Sequence, residues 1–167
     1  MSGIRPIHSA LLLTAYLCGL SSAQVPSQTV QWAASVISST AVQGGTNATL
    51  EVSAHVQEGW HVYALTQPPG GPTALRVSVD ENEFAQLAGI PSATVPERKH
   101  DPSFDLETQF YTHGFTLHLP LHITQPTTTG RRAIPVSVRF QTCSDRECQP
   151  PTTVHLSVPL DVRPDAT

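Results

Sequence analysis

Charge is what this sequence has least of. Only 13% of its 167 residues are Asp, Glu, Lys or Arg, lysine occurs once (Lys99), and the formal net charge is -4. A protein that neutralises phosphates needs clustered cations, so this balance excludes nucleic-acid binding. Long apolar runs are missing too. The longest, residues 10–20 (ALLLTAYLCGL), is about half of the roughly 20 residues that span a bilayer. No phosphate-cradling glycine loop, Ser/His/Asp arrangement or carboxylate pair spaced for acid-base work can be argued from the sequence. Disorder is excluded as well, because 39% of residues are hydrophobic where a disordered chain is poor in them and highly charged. The length suits one ordinary domain.

Cysteine is scarce, with Cys18, Cys143 and Cys148 the complete set. Cys18 falls in the apolar run, which follows Arg5 and His8 and precedes the small residues Ser21, Ser22 and Ala23. That order of basic, apolar and small residues reads as a secretory signal peptide over residues 1–23. A retained N-terminal anchor is the alternative. Leu17 is too large for a lipoprotein signal, so Cys18 is expected to leave with the leader. Residues 24–167 then form a single domain, periplasmic or secreted, with no stable membrane insertion after cleavage. An exported chain with two cysteines fits an oxidising compartment where a disulfide persists.

Alternation dominates what remains. Leu50, Val52, Ala54 and Val56 take every second position, and Thr49, Glu51, Ser53 and His55 the others. This is the period of a strand with one dry and one wet face. The pattern repeats at Leu75/Val77/Val79, at Phe115/Leu117/Leu119/Leu121/Ile123, at Ile134/Val136/Val138/Phe140 and at Val154/Leu156/Val158/Leu160. Residues 30–36 and 60–65 read as further strands. Gly44-Gly45-Thr46-Asn47, the run from Gln67 to Pro72, Gln125-Pro126 through Gly130, and Gln149-Pro150-Pro151 supply turns between them. The one helix-like stretch is residues 80–88 (DENEFAQLA), where Asp80 and Glu83 suit a capping box. Seven or eight such strands predict an all-β fold, an immunoglobulin-like antiparallel β-sandwich of two sheets about one core.

Cys143 and Cys148 bracket Ser144-Asp145-Arg146-Glu147 just after a predicted strand and just before Pro150-Pro151. A four-residue gap cannot cross between two sheets, so any bridge here is local. The chain-entropy relation assigns such a small loop about 2 kcal/mol. Three readings stand at this point. The bridge is a staple on a turn; or the thiols bind a soft metal with some of His113, His118, His122 and His155; or the pair is redox-active, open to attack by an incoming thiolate.

The segment from Arg139 to Thr152 (RFQTCSDRECQPPT) resembles the N-terminal periplasmic domain of the thiol:disulfide interchange protein DsbD, where an aromatic-Gln pair leads into two cysteines and then Pro-Pro. Glu58-Gly59-Trp60-His61-Val62-Tyr63 is similar to that family's Gly-aromatic-x-x-Tyr strand, Gly70-Gly71-Pro72-Thr73 to the start of its next strand, and His100-Asp101-Pro102-Ser103-Phe104 to its cap loop. The likeness spans about residues 28–160.

It implies an immunoglobulin-like domain that relays electrons between thioredoxin-like partners, with Cys143 and Cys148 as the exchanging pair. Cys148 corresponds to the cysteine that forms the mixed disulfide and Cys143 to the one that closes the internal bond. Phe104 corresponds to the cap aromatic, and Tyr63 and Trp60 to aromatic neighbours of the pair, with Asp101 a candidate for proton handling. No cofactor or metal is implied. The partners implied are thioredoxin-fold periplasmic proteins and, because the sequence stops at Thr167, a membrane electron transporter encoded separately. The competing expectation is a secreted immunoglobulin-like binding module whose disulfide is structural.

Overall fold

A computed structural model describes residues 29–37, 41–124 and 130–163. The leader expected at residues 1–23, with Cys18, lies outside the described residues. The strands run β1 Val30–Val36, β2 Ala41–Gln43, β3 Asn47–Val56, β4 Trp60–Tyr63, β5 Arg76–Val79, β6 Ala85–Leu87 and β7 Ser92–Ala93. They continue as β8 Glu97–Asp101, β9 Leu106–Tyr111, β10 Phe115–Ile123, β11 Gly130–Phe140, β12 Thr142–Ser144 and β13 Thr152–Arg163. No helix occurs among the described residues.

The strands form three sheets. One is ordered β1-β3-β10-β6, with β7 also on β10; the second is β2-β13-β11-β5; the third is β12-β4-β9-β8. Every pairing is antiparallel except β2 on β13. The first two sheets are the layers of an immunoglobulin-like sandwich. Alternation builds their shared core, since a period of two puts every apolar residue of a strand on one face. Leu119 lies opposite Leu50 and Leu117 opposite Val52, and all four are fully buried. From the other layer Ile134, Val136, Val138, Val158 and Leu160 enter the same cluster. Each such side chain contributes about 1.5–3 kcal/mol on burial. Trp32 meets Phe115 at 5.7 Å between ring centroids and Phe140 at 5.1 Å, so one indole joins both layers.

The expected helix at residues 80–88 is absent, and Asn82 is the reason. Its Oδ1 accepts the backbone N–H of Phe84 (3.1 Å) and Ala85 (2.8 Å), and its Nδ2 donates to the carbonyls of Asp80 (2.8 Å) and Ala85 (2.9 Å). A side chain that satisfies its own turn in this way removes the need for helical bonds. Phe84 is then buried, and Ala85 to Leu87 pair with Ile123 to Leu121.

The third sheet positions the cysteines. Its inner residues Val62 and Tyr111 join the sandwich core, and Tyr111 stacks on Phe115 at 4.1 Å. Its outer face is free to carry something else.

Candidate functional site

Cys143 lies in β12 with its backbone paired to His61 of β4, while Thr142 pairs with Val62 and Ser144 with Trp60. The chain then turns through Asp145, Arg146 and Glu147, and Cys148 returns to make an isolated antiparallel bridge with Cys143. The two cysteines are joined as a disulfide with Cα atoms 4.0 Å apart. The turn is held independently of that bond. Ser144 N–H donates to Glu147 O (2.8 Å), Ser144 Oγ accepts from Arg146 and Glu147 N–H (3.2 Å each), and Gln149 N–H donates to Thr142 O (2.9 Å). Thr142 Oγ1 adds a bond to Gln149 Oε1 at 3.2 Å.

The two sulfurs live in different surroundings. Cys143 is 1% exposed, whereas Cys148 is exposed on the outside of the turn. A thiolate arriving from solvent would meet Cys148 first, and the sulfur it would displace is the buried one.

Side chains of directly paired residues in an antiparallel sheet lie on the same face. Cys143 therefore shares the outer face of the third sheet with His61, and through the period of two with Tyr63; Phe110, paired to Tyr63, joins them. The rings touch in sequence, with His61 5.0 Å from Tyr63 and 5.1 Å from Phe110 between centroids. Tyr63 is fully buried although it faces away from the sandwich core. What covers it is the turn between β8 and β9.

That turn, Pro102 to Asp105, is tied down by Asp101, which is 8% exposed. Its Oδ1 accepts the Ser103 N–H at 2.9 Å and its Oδ2 accepts the Tyr63 hydroxyl at 2.7 Å. Burial, then the hydrogen bond to Asp101 and its negative charge, push the Tyr63 phenol well above its ordinary value of 10.0, so it stays protonated and keeps donating. Asp105 adopts the left-handed region (φ 53°), a conformation that Asp tolerates better than most residues. Its carboxylate lies 3.3 Å from His100 Nε2. Phe104 projects from this turn to meet Tyr63 edge-on at 6.0 Å. It thus sits over the strand next to that of Cys143.

Between the turn and the cysteines lies a cleft of ≈ 370 Å³ with Pro102 and Ser103 on one side, Ser144 and Asp145 on the other, and His61 and Phe110 between. Trp60 is placed differently from Tyr63. One residue from His61 along the strand, it points to the opposite face and packs against the sandwich core.

His61 was not singled out from the sequence, although it shares strand parity with Tyr63. Burial holds its pKa below the ordinary 6.5; Asp101 and Asp145 pull the other way, and Lys99 adds to the lowering. Its Nε2 is buried without a hydrogen-bond partner.

Of the histidines considered for a metal, His113 lines a cleft with Asp145 of the cysteine turn, while the other three lie on the sandwich sheets. His118 lies 3.9 Å from Glu51 and His122 Nδ1 3.1 Å from Asn47 Oδ1 on the first sheet, while His155 is on the second. No group of three or more His, Cys, Asp or Glu residues able to hold a metal occurs among the described residues. The second sheet does bring together a Ser, a His and an Asp, an arrangement the sequence did not reveal. Ser137 Oγ donates to Asp80 Oδ2 at 2.7 Å and lies 2.9 Å from His155 Nδ1. The serine holds the carboxylate directly and the imidazole is exposed, so the order of contacts is not that of a nucleophile activated by a base that an acid orients.

A family described as "Thiol:disulfide interchange protein DsbD, N-terminal" matches residues 28–159. No curated protein sequence matches the chain. Among solved structures, the reduced N-terminal domain of Neisseria meningitidis DsbD aligns with a TM-score of 0.49 and 16% identity, covering 71% of this chain and 82% of that one. The N-terminal periplasmic domain of ScsB from Proteus mirabilis aligns with a TM-score of 0.44 and 15% identity over 79% of this chain and 45% of that one.

Proposed function

Because the chain belongs to the family of N-terminal domains of the thiol:disulfide interchange protein DsbD, we propose that it is a thiol:disulfide exchange module working through Cys143 and Cys148. The observation that carries this reading is the unequal exposure of the pair, with Cys148 open on its turn and Cys143 1% exposed. A thiolate from a thioredoxin-fold partner attacks Cys148 Sγ in line with the disulfide, a mixed disulfide forms, and the partner's second thiol resolves it. The module leaves with two electrons, held as two thiols, and passes them to the next disulfide by the reverse sequence.

In this reading Phe104 shields the pair through Tyr63, and Asp101 keeps the shield seated. Trp60 supports β4 from the core side. The staple reading is weakened by the turn's own bonds, since Ser144, Thr142 and Gln149 already hold it closed. A periplasmic setting fits the signal-like residues 1–23 and the family. No helix among the described residues is long and apolar enough to cross a membrane. In this reading the reductant is a thioredoxin-like partner, fed by a membrane electron transporter.

Trapping tests the proposal. A Cys143→Ser variant leaves Cys148 as a free thiol, and incubation with an oxidised thioredoxin-fold protein is expected to give a mixed disulfide through Cys148. Absence of that adduct, with the Cys148→Ser variant behaving the same way, rules the exchange reading out.

A further inference from the structure

Opening the disulfide at Cys148 forces a negative charge onto Sγ of Cys143, a residue that is 1% exposed. A thiolate out of reach of water is disfavoured by desolvation, so this sulfur needs a proton as the bond breaks. The register of β12 on β4 sets one ionisable side chain across from it. His61 is the backbone partner of Cys143, and paired residues of this kind have Cβ atoms about 4.5–5.5 Å apart on one face. Its ring is fixed by Tyr63 and Phe110. The Nε2 is buried and unpartnered while the cysteines are bonded, as fits a group whose partner exists only when the pair is open: a disulfide sulfur is a poor acceptor, whereas a thiol or thiolate exchanges protons.

Resting on the exchange reading, we infer that His61 carries the proton that Cys143 Sγ gains when the disulfide opens and gives up when it closes. In the opening direction, a thiolate of an attacking dithiol bonds to Cys148 Sγ as the Sγ–Sγ bond breaks. The bonding pair goes to Cys143 Sγ, and the His61 imidazolium gives that sulfur its proton and becomes neutral. In the closing direction, neutral His61 takes the proton of the Cys143 thiol. The thiolate so formed attacks Cys148 Sγ of the mixed disulfide and expels the partner as a thiolate.

The other ionisable groups around the ring are less suited. Asp101 is engaged by Tyr63 and Ser103, and the Tyr63 hydroxyl is committed to Asp101. Lys99 and His100 of β8 and Asp145 of the cysteine turn are exposed, as are His55, Glu58 and His113, which line with His61 a second cleft on its other side. Burial is the largest influence on His61, opposed by Asp101 and Asp145 and reinforced by Lys99. Burial favours its neutral form, the form that serves as base at neutral pH.

The test is the rate at which dithiothreitol reduces the oxidised protein between pH 5 and 8.5, divided by the concentration of dithiothreitol thiolate at each pH. The wild type is expected to show a corrected rate that rises as pH falls below 6.5, where the imidazolium forms. For His61→Asn the corrected rate is expected to be flat and on the order of tenfold below the wild-type maximum, less than acid catalysis gives oxygen leaving groups because a thiolate leaves readily. His61→Gln repeats the measurement should the Asn variant fail to fold, and an unchanged unfolding midpoint verifies the fold of either. Variants that keep the wild-type pH profile overturn the proton role while leaving exchange intact. A wild type that forms no mixed disulfide at Cys148 overturns the exchange reading itself.

Discussion

Replacing Tyr63 with Phe isolates the contact that seats the turn over the site. The ring stays, so its packing against His61 at 5.0 Å and Phe104 at 6.0 Å is kept. What goes is the 2.7 Å donation to Asp101 Oδ2, and Asp101 is 8% exposed, so water does not easily replace the lost donor. A hydrogen bond to a charged acceptor contributes about 1.5–3 kcal/mol. Taking about 2 kcal/mol, urea unfolding with the disulfide intact should show that loss, or a fall of about 4–8 °C in Tm for a domain of this size. Should the turn open locally, the Ser103 and Phe104 amides are expected to exchange about 30-fold faster while amides of β3 and β10 do not change. The sign with pH follows from the phenol. Its pKa is raised on folding, so its stabilisation is present below the unfolded value of 10.0 and is lost as pH climbs through the folded value. The advantage of the wild type over Tyr63→Phe therefore shrinks above pH 10. A double-mutant cycle of Tyr63→Phe with Asp101→Ala isolates the pair. A coupling below about 0.5 kcal/mol at pH 7 would refute the claim that this bond anchors the turn.

Two further outcomes are expected. Changing both Cys143 and Cys148 to Ser should lower stability in urea by about 2 kcal/mol, the entropy of closing so short a loop; a loss above about 4 kcal/mol would mean that the bridge, not the bonds of Ser144 and Gln149, holds the turn. Asn82→Ala should cost about 1–3 kcal/mol in the same assay by stranding the Phe84 and Ala85 N–H groups. A cost near zero would show that the turn at 80–85 does not depend on that side chain.

The strands that could be read from the sequence are those with one face against the core. β3, β10 and β11 from Ile134 onward bury every second residue, and burial is what writes the alternation into the chain. β8 could not be read. Its sequence is ERKHD and four of its five residues are exposed, so the pairing to β9 has no apolar signature and rests on backbone bonds. The stretch at 80–88 misled for a related reason. Its apolar residues Phe84, Ala85, Leu87 and Ala88 are compatible with a helical stripe, but Leu87 is 38% exposed, and the local bonds of Asn82 outweigh a short helix that would have had to nucleate alone.

At the site, Cys143, Cys148, Tyr63 and Phe104 could be named in advance because each sits in a recognisable string. His61 could not be tied to Cys143, because 82 positions separate them and only the register of β12 on β4 makes them neighbours. Strand parity was nevertheless available. Trp60 and Tyr63 are three apart and so cannot share a face of one strand, whereas His61 and Tyr63 are two apart and must. Once Tyr63 is taken to face the cysteines, Trp60 belongs to the core and His61 to the disulfide. That is the placement found, with Trp60 packed against the sandwich core and His61 paired in register with Cys143.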